Sequence, residues 1–191
     1  NSELHGIAAL SQNNVWSVGY DHTGPLGPPV QGLIEHWNGS QWSMVPSSNV
    51  GTHDNFLIGV TTVSANDVWT VGAYNDNNNI LNTLIEHWNG SRWSIVPSPN
   101  VGTNGSLIDS LAPVSANDIW TVGFYNNSKN QQQNLIEHWN GTKWSVVQVP
   151  NTGAGGDGFN HIGIVSANDM WAVGNFVTGS GLAKNLIEHC C

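Results

Sequence analysis

The sequence predicts an all-β protein, a β-propeller built from four-stranded antiparallel blades. Leu-Ile-Glu-His recurs at residues 33, 84, 135 and 186, always 51 residues apart. Each of the first three repeats contains four short runs rich in β-branched and aromatic residues, separated by turn residues. No stretch shows the 3.6-residue apolar period of a helix. A β-sandwich also holds many short strands, but it does not explain one repeating four-strand unit.

The second repeat shows how each strand is predicted. Apolar runs bounded by turn or loop residues predict strands at Leu57–Val63, Val68–Tyr74, Leu84–Trp88 and Trp93–Val96. Ser64–Asn66 turns the chain between the first two strands, and a polar loop precedes the third. Asn89-Gly90 predicts a hairpin between the last two, of type I′, which requires positive φ at both central residues.

The repeats predict a single domain over residues 1–191. Three blades have four strands each, at about residues 3–46, 55–97 and 106–148. The fourth, at about residues 158–191, ends with its third strand. Its outer edge then has unpaired backbone groups, which are templates for another strand. Three explanations are open: a window cut from a longer array, copies pairing into a larger ring, or a copy lending a strand to its neighbour, which builds filaments if the rotation does not close.

Tryptophans recur at equivalent places in the blades. A propeller buries both faces of a blade against its neighbours, so these residues are predicted to pack between blades. The predicted core tryptophans are Trp16, Trp69, Trp120 and Trp171 on second strands and Trp37, Trp88 and Trp139 on third strands.

Composition excludes two classes of partner. Only 9% of residues are charged, the net charge is −9, and the chain has four basic residues. A nucleic-acid groove needs several Lys or Arg to neutralise phosphates, so nucleic acid is excluded. No apolar run approaches the roughly 20 residues of a membrane span, so membrane insertion is not expected.

The whole chain resembles the bacterial secreted β-propellers with near-identical blades of about 50 residues. The resemblance lies in two motifs, which here read Trp69-Thr70-Val71-Gly72 and Ile85-Glu86-His87-Trp88-Asn89-Gly90-Ser91-Arg92-Trp93-Ser94-Ile95-Val96-Pro97. It implies a propeller fold and an extracellular location, secreted or at the cell surface. The resemblance implies no particular activity.

A Glu-His pair closes the third strand of every blade. The pairs are Glu35-His36, Glu86-His87, Glu137-His138 and Glu188-His189. Adjacent strand residues point to opposite faces, so the two members of a pair cannot meet. Equivalent histidines on neighbouring blades would lie too far apart to share one metal ion. We therefore expect structural hydrogen bonds between the Glu of one blade and the His of the next, with no metal and no cofactor.

The sequence carries no recognised catalytic motif, and an enzyme is not expected. Asp67, Asp118 and Asp169 follow the turn between the first two strands, where the first blade has Asn14. Either residue can cap a turn, whereas a catalytic carboxylate would not tolerate the change.

Cys190 and Cys191 are the two cysteines of the chain. Adjacent cysteines rarely bridge to each other because the ring is strained. In a secreted protein, thiols without an internal partner suggest intermolecular disulfides. A bridge between the two neighbours and free thiols are the alternatives.

The expected function is a non-enzymatic extracellular structural or adhesive propeller. It would self-associate through its incomplete blade into a homo-oligomer, a larger ring or a filament. The alternative is a lectin-like propeller that binds a glycan, because Trp-Asn-Gly-Ser-x-Trp is similar to the tryptophan hairpin of small fucose-binding propeller lectins. Arg92 is the one arginine available for such a site, and the Glu-to-Trp spacing is one residue shorter than in those lectins.

Overall fold

The regular structure in the described residues consists entirely of β-strands. The computed structural model describes residues 1–22, 29–151 and 155–190, and the chain divides into two compact units, Asn1–Pro97 and Ser98–Cys191. In chain order the strands are β1 (Ser2–Ser11), β2 (Asn14–His22), β3 (Val30–Trp37), β4 (Trp42–Met44), β5 (Asn55–Ser64), β6 (Asp67–Asn75), β7 (Leu81–Trp88), β8 (Trp93–Ile95), β9 (Ser106–Ser115), β10 (Asp118–Asn126), β11 (Gln132–Trp139), β12 (Trp144–Val146), β13 (Gly156–Ser166), β14 (Asp169–Val177) and β15 (Ala183–Cys190).

Each unit contains two antiparallel sheets in which strands consecutive in sequence are neighbours. The first unit holds sheet 1 (β1–β4) and sheet 2 (β5–β8). The second unit holds sheet 3 (β9–β12) and sheet 4 (β13–β15), and sheet 4 has three strands within the described residues. The predicted four-strand repeat and the three-stranded last blade are therefore confirmed.

The motif Trp-x-Val-Gly ends where two strands approach closely. A Cβ atom added to Gly72 on β6 would collide with the backbone carbonyl of Phe56 on β5. The equivalent glycines Gly19, Gly123 and Gly174 are equally crowded by the first strand of their own sheets. Glycine is required here because a side chain would force the two inner strands apart.

The hairpin between the third and fourth strands was predicted correctly, but its turn type was wrong. Asn89, Gly90, Ser91 and Arg92 form a four-residue loop, and only Gly90 has positive φ, at 91°. The Asn89 Oδ1 atom accepts hydrogen bonds from the backbone N–H groups of Ser91 and Arg92, at 3.0 and 3.1 Å. The Asn89 side chain thus stabilises this loop through hydrogen bonds, and the loop does not have the type I′ backbone geometry that was predicted.

The core of the first unit lies between sheets 1 and 2. Trp16, Val18 and Ile34 of sheet 1 pack against Leu57, Val68, Leu84 and Trp93 of sheet 2. The ring centroids of Trp16 and Trp93 are 5.4 Å apart at an interplanar angle of 85°, and Trp88 lies 5.2 Å from Trp16. Apolar burial of this extent supplies most of the stability of a sheet pair.

The core of the second unit lies between sheets 3 and 4. Val122 of sheet 3 packs with Phe159, Ala172 and Leu186 of sheet 4, and Ile136 and Ile162 are partly buried against them. Except for Ala172, whose counterpart is Thr70, these residues correspond by repeat to residues in the core of the first unit. Largely equivalent residues therefore build both cores.

Candidate interaction surface on the last sheet

A tryptophan on the second strand stacks on a histidine of the third strand in every sheet. In sheet 2 the rings of Trp69 and His87 are 4.2 Å apart, and both donate a hydrogen bond to Asp67 Oδ1, at 2.7 and 2.8 Å. The strand register places Trp69 opposite His87, and Asp67 lies two residues before Trp69 on the same face. The same contacts join Trp120, His138 and Asp118 in sheet 3, and Trp171, His189 and Asp169 in sheet 4.

Sheet 1 differs because Asn14 takes the place of the aspartate. Asn14 Oδ1 lies 3.0 Å from His36 Nε2, and the rings of Trp16 and His36 are 4.2 Å apart. The buried Trp16 indole N–H has no hydrogen-bond acceptor among the described residues. Burial lowers the pKa of His36. The turn-cap role predicted for this position is thus replaced by side-chain bonds, to the histidine in all four sheets and also to the tryptophan in the three sheets that have Asp.

The expected hydrogen bond between the Glu of one blade and the His of the next is not what the structure shows. The histidines bond within their own sheets, as described above. Glu86 instead accepts hydrogen bonds from the Ser47 hydroxyl at 2.7 Å and the Ser48 backbone N–H at 2.9 Å. Both serines belong to the segment that joins sheet 1 to sheet 2. Glu86 therefore ties that connecting segment to its own sheet.

The other glutamates of the set have different surroundings. Glu137 is fully buried, and neither carboxyl oxygen has a hydrogen-bond partner among the described residues. Burial raises the pKa of Glu137 to about 8. Glu188 is exposed and Glu35 is partly buried. Together with the hydrogen-bonded Glu86, this gives four different environments at a position that is constant in sequence.

In the part of the chain that the structure describes, no group of three or more His, Cys, Asp and Glu side chains could hold a metal ion. None of the described residues forms a helix with the length and apolar character that a membrane span requires.

The hairpin tryptophans proposed for a lectin-like site are mostly buried. Trp93 and Trp144 lie in the interior and are therefore not available to stack on a sugar ring. Each packs on the tryptophan opposite it, Trp88 or Trp139, with ring centroids 5.9 and 5.7 Å apart. Trp42, which packs on Trp37 in the same way, is partly exposed.

Sheet 4 exposes residues whose counterparts are buried in the first unit. Trp171 is 45% exposed and Ile187 is 63% exposed, whereas the equivalent Trp16 and Ile34 are 2% and 1% exposed. Val173, the counterpart of the buried Val18, is exposed too. These three residues of sheet 4 are here called the terminal face. The prediction that Trp171 belongs to the core was wrong, because this residue is exposed.

Sheet 1 exposes the opposite half of the same type of interface. Leu4 is 52% exposed, although its counterpart in sheet 2, Leu57, is fully buried against sheet 1. Trp42 is likewise exposed where its counterpart Trp93 is buried. Leu4 and Trp42 are here called the leading face.

The other predicted core tryptophans differ in burial. Trp69 is buried, and four are partly buried: Trp37, Trp88, Trp120 and Trp139.

Cys190 is exposed, carries a free thiol and lies at the end of β15. Cys191 lies outside the described residues. The intermolecular disulfide expected from these two cysteines stays a prediction.

The comparisons with known proteins concern the fold. No family model matches the chain, and no curated protein matches it. A solved structure described as "YCF48 bound to D1 peptide" matches with a TM-score of 0.50 and 13% identity, over 97% of this chain and 53% of that chain. A BT0996 RGII complex and a structure described as "Glycoside hydrolase" match with TM-scores of 0.47 and 0.46, at 9% and 8% identity. Both matches cover 95% of this chain and 64% of the matched chain.

The match with a TM-score of 0.50 supports a fold class and nothing beyond it. The chain spans between half and two thirds of the length of the solved structures it matches. Its four antiparallel sheets of 4, 4, 4 and 3 strands, with a propeller protein as a structural neighbour, make it an all-β protein of the β-propeller class. The predicted fold class is confirmed.

Proposed function

We propose that this chain is a non-enzymatic, extracellular structural or adhesive β-propeller that self-associates through its last sheet. The terminal face of one copy packs on the leading face of another. The two faces are different surfaces, so the association is head to tail. Repetition of this contact builds a filament, or a larger ring if the rotation closes.

One observation carries the proposal: the chain exposes both halves of an interface that it also forms internally. Trp16, Val18 and Ile34 pack against Leu57 and Trp93 in the first unit. The terminal face repeats the first three side chains, and the leading face repeats the last two. Apolar side chains of this size are seldom exposed together on a monomer.

The energetics favour contact between the two faces. Burying an aliphatic side chain contributes about 1.5–3 kcal/mol relative to leaving it in water, and an aromatic side chain buries roughly 150–250 Å². Trp42 of one copy would meet Trp171 of the next as Trp93 meets Trp16, at 5.4 Å and nearly perpendicular. The low content of charged side chains, 9% of the residues, suits a close-packed assembly.

A mixing experiment with three variants tests the proposal. Trp171→Asp disables the terminal face, Leu4→Asp disables the leading face, and Ser91→Asp on the exposed hairpin adds the same charge elsewhere. Mass is measured by sedimentation velocity or light scattering. We expect the wild type and Ser91→Asp to exceed 20.5 kDa, and each face variant alone to remain at 20.5 kDa.

An equimolar mixture of the two face variants then distinguishes the geometry. Each variant retains the face that the other lacks, so the mixture should form dimers of twice the monomer mass and grow no further. A monomeric wild type would contradict self-association. Dimers of Leu4→Asp alone would contradict the head-to-tail arrangement, because they would require a terminal face to pack on another terminal face.

A further inference from the structure

The second unit contains an apolar cavity of about 260 Å³ between sheets 3 and 4. Its lining includes Trp171 of the terminal face but neither Leu4 nor Trp42 of the leading face. Its floor and walls are predominantly aliphatic and aromatic. The side chains that matter here are Trp120, Ile136 and Val147 of sheet 3, and Phe159, Met170 and Cys190 of sheet 4.

The first unit shows what fills the equivalent space there. Trp120 corresponds by repeat to Trp16, and Cys190 corresponds to Trp88. Trp16 is covered by Trp93 of β8, the fourth strand of sheet 2, and Trp93 is buried. Sheet 4 has no fourth strand among the described residues. The cavity therefore lies where a tryptophan on a fourth strand would be.

We propose that this cavity is a binding site for a tryptophan side chain on an extended peptide segment. The segment pairs antiparallel with β15 as the fourth strand of sheet 4. Its tryptophan enters the cavity and packs on Trp120, as Trp93 packs on Trp16. The site is thus specific for a peptide ligand, and the tryptophan is the residue that anchors it.

The register of the other sheets defines the ligand further. Trp93, Ser94 and Ile95 of β8 lie opposite Trp88, His87 and Glu86 of β7. The corresponding residues of β15 are Cys190, His189 and Glu188. A ligand that follows this register has tryptophan opposite Cys190, a small hydroxyl residue opposite His189 and an aliphatic residue opposite Glu188.

Two contributions stabilise this complex. The outer edge of β15 offers backbone N–H and C=O groups to an added strand, which gives affinity with little dependence on sequence. The cavity buries an indole against an aromatic floor, which gives the preference for tryptophan. A smaller side chain would leave most of the cavity empty.

A synthetic peptide of residues Ser91–Pro97 tests the proposal. It carries the fourth-strand sequence Ser-Arg-Trp-Ser-Ile-Val-Pro. The binding partner is the full chain carrying Leu4→Asp, since this change lies in the other unit and removes the leading face. We expect saturable one-to-one binding in calorimetry, and slower amide exchange in β15. The matched control peptide, with Trp93→Ala, should bind at least about tenfold more weakly.

Two substitutions in the protein report on the cavity itself. Trp120→Ala removes the aromatic floor and should weaken the native peptide about tenfold, with circular dichroism confirming that the variant is folded. Cys190→Trp restores the residue of the other repeats and should strengthen binding, because Trp88 and Trp93 lie 5.9 Å apart in sheet 2. Ser91→Asp, on the exposed hairpin of the other unit, is the control and should leave the affinity unchanged.

The proposal is overturned if the peptide does not bind, or if the native and alanine peptides bind equally. Unchanged affinity in Trp120→Ala also overturns it. These outcomes are independent of the proposed self-association. If the chain polymerises but does not bind the peptide, only the proposed cavity site is contradicted. If the chain binds the peptide but stays monomeric, only the proposed self-association is contradicted.

Discussion

Glu86 accepts a hydrogen bond from the hydroxyl of Ser47, 39 residues earlier in the chain, at 2.7 Å. The backbone N–H of Ser48 donates a second bond to the same carboxylate. Burial raises the pKa of Glu86, and the bonds from Ser48 and Ser47 oppose that change. The residue that follows Ser48 by one repeat is Pro99, which has no N–H group to donate. Glu137 is fully buried without such support.

The contrast between these two glutamates predicts opposite effects of the same substitution. Glu137 has a pKa of about 8 in the folded protein and about 4.3 in the unfolded chain. Between these pH values the unfolded state releases a proton that the folded state keeps, so stability falls as pH rises and levels off above pH 8. Glu137→Gln should therefore stabilise the protein by a few kcal/mol at pH 8, and by little at pH 4.

Glu86→Gln is the matched control, because it removes a carboxylate that accepts two hydrogen bonds. It should destabilise the protein by about 1–3 kcal/mol at neutral pH. Denaturant unfolding of both variants and the wild type at pH 4, 6 and 8 gives the comparison. Equal effects of the two substitutions at pH 8 would contradict the different environments of the two carboxyl groups.

The asparagine in sheet 1 gives a second prediction. Asn14→Asp provides the carboxylate that accepts the indole N–H in the other three sheets, and the Trp16 indole N–H has no acceptor among the described residues. A buried donor that gains a partner should stabilise the fold by about 1–2 kcal/mol. The new charge should also raise the pKa of His36, which burial lowers in the native chain.

Thermal unfolding and NMR titration of the histidine measure these two effects. Asp67→Asn is the reverse substitution in sheet 2 and should lower stability by a comparable amount. If Asn14→Asp changes neither the stability nor the His36 pKa, the role assigned to the Trp-His-Asp arrangement is wrong.

Cys190 leads to a third prediction. Its thiol is exposed at the end of an edge strand, and the chain has no cysteine outside positions 190 and 191. Under oxidising conditions we expect a dimer band on denaturing gels that disappears with reductant. The Cys190→Ser, Cys191→Ser double variant should lose that band and keep the noncovalent association of the two faces. A wild-type chain that stays monomeric on oxidised gels would refute the disulfide.

The architecture could be predicted because the same local sequence patterns recur along the chain. A constant period, alternating apolar residues and Asn-Gly turns define four strands, and the same pattern recurs in the neighbouring sheets. The aspartates that bond the histidines could also have been predicted from the sequence. Asp67 lies two residues before Trp69, on the same strand face, and His87 stacks on Trp69. The prediction instead followed the adjacent Glu86, whose partner is a connecting segment far away in sequence.

Other features depend on packing that no local pattern specifies. Trp171 and Trp16 occupy the same place in the repeat, yet one is exposed and the other buried, because burial depends on whether a second sheet covers the face. The cavity beside Trp120 and the absence of hydrogen-bond partners for the Glu137 carboxyl group among the described residues have a similar cause. They arise where one repeat has, among the described residues, no counterpart of a strand or of a hydrogen-bond donor that another repeat has.

Sedimentation velocity of the wild-type chain over a range of concentrations measures its mass and tests the self-association of these sheets most directly. We predict a weight-average mass that rises above 20.5 kDa with concentration, and that Trp171→Asp returns to 20.5 kDa. A native chain that sediments at 20.5 kDa across the whole micromolar range would contradict the account.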